Sequence, residues 1–150
     1  MEKQFIRSST NFSYETNNNN FKTFNVSRLI TLSPDKNDIN TILDAKTTAT
    51  ILSSKLVKTP SCTTLSGTIL TGHKLFFKGY LNSNIKYITD DINSSIYYDN
   101  FKLIFVESIS LADNYSYNAS DIISTIIDVS ANKVDSHSIF INIVVMIKLL

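Results

Sequence analysis

Gly67-Thr-Ile-Leu-Thr-Gly72-His-Lys74-Leu75-Phe-Phe-Lys-Gly79-Tyr-Leu81-Asn-Ser-Asn-Ile85-Lys-Tyr87 decides the fold class. β-Branched and aromatic residues dominate it, and glycine stands where the backbone must turn or lie close to a neighbour. The pattern predicts consecutive strands over Leu65–Leu70, His73–Leu81 and Ile85–Thr89, separated by Gly or Asn-Ser. Outward from there the same reading continues. Val26 to Leu32 runs into a Ser33-Pro34-Asp35 turn, where proline fixes φ and stops strand pairing. Thr47 to Lys58 is rich in β-branched residues and ends at Thr59-Pro60. Between them, Ile39, Ile42 and Leu43 fall at i, i+3 and i+4, which predicts one helical turn over Asp38–Leu43. Asp90-Asp91 and Asp99-Asn100 read as turns around Ile92 to Tyr98, after which Phe101, Leu103, Phe105, Ile109 and Leu111 alternate with mostly polar residues.

The two last strands are predicted to be the longest. Ile123, Ile127, Val129 and Ala131 are assigned to one side of the first. In the second, Ile139, Ile141, Ile143, Val145, Ile147 and Leu149 form an unbroken aliphatic row on one face, since strand side chains alternate. Phe140, Val144, Met146 and Leu150 take its other face. A strand apolar on both sides is central to a sandwich or covered by another molecule. Several strands at short spacing without a helical period predict an all-β fold, an antiparallel β-sandwich with an extended N-terminal arm. The division is an arm over residues 1–25 and a sandwich domain over residues 26–150.

The spacing Gly72, Lys74-Leu75, Gly79, Leu81, Ile85 and Tyr87 resembles the core of the SPOCS domain, the spore-coat-associated domain of spore-forming bacteria. Asp38-Ile39-Asn-Thr-Ile42-Leu43 is similar to that family's acidic-Ile-x-x-Ile-Leu segment, and Phe101 to Leu111 to the apolar strand that follows. The likeness covers about Val26 to Leu150. It implies a structural role in the spore coat or on the spore surface, and it implies no catalytic residues. Family members that scaffold the coat often carry a LysM module or repeated SPOCS domains. These 150 residues hold a single domain without a LysM module, preceded by a polar arm.

Composition is that of one ordinary domain. With 150 residues and 43% hydrophobic content the chain has enough apolar material for a sizeable core. A net charge of +1 with 18% charged residues gives no basic footprint for nucleic acid. Weak net charge with abundant Ser, Thr and Asn lets copies approach one another at little electrostatic cost, which favours self-association. Met1-Glu-Lys-Gln is followed by polar residues rather than a secretory apolar region, as expected of a protein made in the mother cell without a signal peptide. Ile139 to Leu150 is shorter than the roughly 20 residues of a spanning helix, and Asn142 and Lys148 interrupt it, so no membrane span is expected.

The first 25 residues differ from the rest, with an Asn17–Asn20 run and spaced apolar residues Phe5, Ile6, Phe12, Tyr14, Phe21 and Phe24. Ordering about thirteen residues costs on the order of 15–20 kcal/mol of backbone freedom, whereas four buried side chains return about 2–3 kcal/mol each. Such an arm does not fold on itself. It is expected to dock on a sheet edge of another body, where backbone hydrogen bonds close most of the gap; its alternative is a frayed tail with chance aromatics.

Other candidate sites are sparse. The Asn114-Tyr115-Ser-Tyr117-Asn118 segment is a possible recognition loop, because tyrosine offers wide contact area with a polar tip. Its alternative is a strand connector with one tyrosine tucked against the sandwich. Cys62 is the one cysteine, so any disulfide joins two chains. An intermolecular crosslink there stands against an idle or buried thiol. His73 and His137 lie far from Cys62 in sequence and form no zinc spacing. Asp35/Asp38 and Asp90/Asp91 lack a calcium-binding loop and read as turn residues. The glycines fit no phosphate-binding pattern and the serines no nucleophile elbow. No catalytic residue, metal or cofactor is therefore assigned. The sequence reads as a self-associating structural protein, subunit of a filament or lattice joined through its arm, with itself and other spore-coat proteins as partners. Its alternative is a monomeric or dimeric adaptor that recruits another coat protein.

Overall fold

The computed structural model describes residues 21–67, 69–70, 72–111 and 122–150. They form strands β1 (Phe21–Thr31), β2 (Ile39–Lys58), β3 (Cys62–Thr63), β4 (Ile69–Leu70), β5 (His73–Thr89), β6 (Ile96–Ser110), β7 (Ile122–Lys133) and β8 (Ser138–Leu149). Two three-stranded antiparallel sheets, ordered β1-β8-β7 and β2-β5-β6, pack face to face as a sandwich, and β3-β4 is a small hairpin between β2 and β5.

The core lies between the two central strands. Ile139, Ile141, Ile143, Val145, Ile147 and Leu149 of β8 are all at most 1% exposed. Facing them, the odd residues of β5 from Leu75 to Thr89 are buried. Phe24 of β1 bridges the sheets, its ring tilted against Phe105 at 5.3 Å and Phe77 at 6.4 Å between centroids. That contact needs room, and Gly79 supplies it: a Cβ there would stand 2.5 Å from the Phe105 ring and 2.5 Å from the Thr50 carbonyl oxygen. Here glycine is required by close approach. At Gly72 it is required by a φ of +86°, where Thr59 N–H donates to the Gly72 carbonyl and closes the hairpin.

Five details differ from the sequence reading. The Asp38–Leu43 helical turn is strand: Ile39 opens β2, and register shifts between Ile39/Thr41 and Ile42/Asp44 put Ile39, Ile42 and Ala45 on one face. Two bulges in succession thus imitate a helical spacing. Residues 73–89 form one strand, not two, because Asn82-Ser83-Asn84 pairs sideways. Ser83 is fully buried and its hydroxyl lies 2.9 Å from that of Thr47, while Asn84 donates to Asn100 at 2.9 Å. Asp99-Asn100 accordingly sits inside β6, opposite Ile85 and Asn84, rather than in a turn. Of Leu65–Leu70 only Ile69–Leu70 is strand, and Gly67 N–H closes a turn on the Thr64 carbonyl at 2.9 Å. A bulge between Ile126 and Asp128 reverses the face of β7, so Val129 and Ala131 point inward while Ile123 and Ile127 are exposed.

Replacing Ile143 by Asp places a carboxylate in a row with no exposure; the cost of several kcal/mol against a total of about 5–15 kcal/mol is expected to abolish soluble folded protein. A normal melting temperature for that variant would show that the row is not core. Gly79→Ala is expected to lower the melting temperature by forcing Phe105 or β2 aside. Gly67→Ala, with nothing within 4 Å of its Cβ, carries only the strain of its φ of +83° and should cost less, as paired thermal melts would show.

Candidate assembly interface

The four outer strands divide into two unlike flanks. On one flank β2 and β7 lie against each other, with Ser124 Oγ donating to the Ala49 carbonyl at 3.5 Å and Lys133 Nζ to the Asn40 carbonyl at 3.5 Å. Every register shift in the two large sheets falls on these two strands, and Leu43, Leu52 and Ile127 at the shifts are 45%, 56% and 55% exposed. Bulges twist an edge and spoil it as a template for further pairing.

On the other flank are β1 and β6, paired to β8 and β5 over 11 and 15 residues without a register shift. Neither strand contains proline. They touch mainly at one end, where Lys22 Nζ binds Glu107 Oε2 at 2.9 Å and the Ser108 carbonyl at 2.9 Å. Both partners of that ion pair are under one-fifth exposed, so it clips the start of β1 to the end of β6. The outward side chains of β6 are apolar at Ile96, Tyr98, Ile104 and Val106, each more than half exposed. A long, regular edge of this kind, with Asn100 and Lys102 between its apolar pairs, is one to which a further strand can add.

The arm is shorter than the sequence suggested. Residues 21–25 are part of β1: Phe21 pairs with Lys148 and is 40% exposed, and Phe24 pairs with Val145 and is 1% exposed. Phe24 is therefore a core residue of its own domain and no joint. Period-two alternation places it inward, two residues before Val26. Phe5, Ile6, Phe12 and Tyr14 lie outside the described residues, as do Tyr115 and Tyr117 of the possible recognition loop. Cys62 is in β3, opposite Leu70, with an exposed free thiol. Its hairpin connects β2 to β5.

At the end of the sandwich formed by the β1–β2, β5–β6 and β7–β8 connections, polar groups are knitted together. Asp91 Oδ1 accepts from the Asn93 and Ser95 backbone N–H groups, and Asp135 Oδ1 from that of His137. These bonds hold both carboxyls below the usual range. Asp35 is lowered likewise, first by the Ser33 hydroxyl. His137 Nε2 lies 3.0 Å from the Lys36 carbonyl and its Nδ1 3.3 Å from Asp38. Lys36 in turn pairs with Asp99, which accepts from the Tyr87 hydroxyl at 2.7 Å. Burial, then the bond to Asp99, pushes the Tyr87 phenol up. The depression between these loops has a volume of about 330 Å³. Among the described residues no group of three His, Cys, Asp or Glu side chains is placed to hold a metal ion, and no helix is long and apolar enough to cross a membrane.

No family model, curated protein or solved structure matches the chain.

With its thiol exposed on a two-residue strand, Cys62→Ser is expected to melt within a degree or two of the parent and to assemble equally well. Non-reducing gels after full denaturation should show mainly monomer. A reductant-sensitive ladder together with loss of assembly in the serine variant would instead make the crosslink central.

Proposed function

We propose that the protein is a structural, self-associating component of the spore coat or spore surface, with the sandwich as building block and the residues before β1 as joint. The observation that carries self-association is the unlike pair of flanks: β2 and β7 are bulged and closed on each other, whereas β1 and β6 are regular and, among the described residues, open. The spore assignment rests on the SPOCS-like spacing of Gly72, Lys74-Leu75, Gly79, Leu81, Ile85 and Tyr87 in β5 and the loop before it.

The joint is narrowed to residues 1–20. Fully extended they reach at most about 70 Å, and the edge of β6 is about 50 Å long. One arm thus suffices to cover a neighbour's edge. Phe12 and Tyr14, two residues apart, would share a face of the added strand beside Ile104 and Val106. Since the arm and the edge are different surfaces, the contact is heterologous and repeats without closing, giving a filament or lattice.

A second reading, an adaptor that recruits another coat protein, draws support from the outer face of the β1-β8-β7 sheet. There Leu29 pairs with Phe140, 55% and 40% exposed, beside the partly exposed Val144 and Met146. Electron microscopy separates the two readings: regular polymers favour the first, and a monodisperse 16.9 kDa species at high concentration the second. Antibody labelling of sectioned sporulating cells tests the location.

A chain starting at Phe21 retains all of β1 and is expected to give the same β-type circular dichroism and a cooperative melt, with polymers absent from micrographs. Unchanged polymers from the truncated chain would assign the joint to direct pairing of sheet edges.

A further inference from the structure

The outer face of the β2-β5-β6 sheet carries nearly all of its charge as lysine. The odd residues of β5 are buried, so its even residues and their cross-strand partners look outward. Row by row these include Asp44, Lys86 and Tyr98; Lys46, Asn84 and Asn100; Thr48, Asn82 and Lys102; Ser53, Lys78 and Val106; Lys55 and Phe76; Val57 and Lys74. Six lysines thus share one face with a single carboxylate, Asp44, in a chain whose formal net charge is only +1. Two of them are held down on rings, Lys102 Nζ at 3.8 Å from the Tyr80 centroid and Lys86 Nζ at 5.4 Å from that of Tyr98. Cation–π contact of this kind limits the freedom the lysines would lose on meeting a partner.

The balancing negative charge is gathered elsewhere. Asp35 and Asp38 precede β2, Asp90 and Asp91 follow β5, and Asp135 lies between β7 and β8. Backbone bonds from Asp90 to Asp38 and from Ile39 to Ser136 bring these loops to one end of the sandwich. The basic groups there are few: Lys36 is committed to Asp99, Lys133 leans on Asn40, and His137 faces Asp38. The end is anionic and the sheet face cationic.

We propose that the lysine face of one subunit docks the acidic loop end of a second copy. The face is about 50 Å long, enough to receive the end of a sandwich whose sheets are about 10 Å apart. Opposite charge on two different surfaces of one chain makes the contact heterologous, so it orients successive subunits in one sense and does not close. The inference rests on the reading that the protein self-associates, and adds a second contact to the arm: the arm tethers, the charges set orientation.

A charge swap in the full chain tests it. Lys55→Glu/Lys78→Glu makes the face less basic, and Asp35→Lys/Asp90→Lys makes the end less acidic; all four side chains are at the surface. Circular dichroism melts first establish that both variants fold as the parent does. Light scattering of the parent should show association at low salt that weakens toward 1 M, where the screening length falls to about 3 Å. Each variant alone should associate about tenfold more weakly. An equimolar mixture should associate more strongly than either variant alone and mainly as pairs, because the unaltered face of the end variant then meets the unaltered end of the face variant. A mixture no better than its components, or parental assembly indifferent to salt, overturns the charged contact and leaves the arm reading to its own truncation test. Loss of association in the face variant alone, with binding of polyglutamate by the parent face, would assign that face to a foreign polyanion and overturn the second-copy occupant. A parent chain that stays monodisperse at all salts and concentrations removes self-association itself.

Discussion

Everything in this molecule hangs on the burial of one row of β8 against one row of β5. Six aliphatic side chains of β8, alternating from Ile139 to Leu149, and the buried odd residues of β5 form one core. Each contributes about 1.5–3 kcal/mol of transfer free energy. Because strand side chains alternate, a slip of one residue in either strand would expose its whole row. This constraint fixes the register of β1 and β7 on β8 and of β2 and β6 on β5. The outer strands then meet it differently: β1 and β6 follow without interruption, whereas β2 and β7 insert extra residues.

Those insertions have two effects at once. They turn the edges of β2 and β7 toward each other and let the sandwich close on that side, and they remove two of the four outer strands as templates for pairing. On the opposite flank, among the described residues, β1 and β6 meet at one end through the Lys22–Glu107 pair and the Phe24–Phe105 rings. Among the described residues this contact leaves the greater length of β6 open, and the ion pair stands one residue inside the start of β1. Asymmetry in the fold thus becomes polarity in any assembly built from it.

Much of this was legible in the chain. The β8 row and the Phe101-to-Leu111 alternation are period-two patterns, and strands obey them because one face is buried. The bulges were not legible, because a bulge changes the period: Ile39, Ile42 and Leu43 look helical only when a uniform repeat is assumed. Asn82-Ser83-Asn84 looked like a break because polar residues usually mark turns. Here Thr47 and Asn100 on the neighbouring strands satisfy Ser83 and Asn84, a fact that resides in the pairing and not in the segment. Phe24 reads as part of the arm for a similar reason, since the Asn run before it masks the start of β1.

Charge shows the same difference between a sum and an arrangement. Fourteen basic and thirteen acidic residues nearly cancel, which argues against any strong field, yet cancellation over a whole chain says nothing about where each sign lies. Turns favour aspartate because its carboxylate caps nearby backbone N–H groups, as Asp91 and Asp135 do; a solvent-facing sheet surface favours lysine, whose stem covers apolar neighbours while its charge stays in water. When the turns gather at one end and the sheet presents a broad outer face, these two local preferences are enough to separate the charges. The fold itself therefore converts a nearly neutral composition into a molecule with a cationic face and an anionic end, and copies that approach at little net cost still meet a preferred orientation.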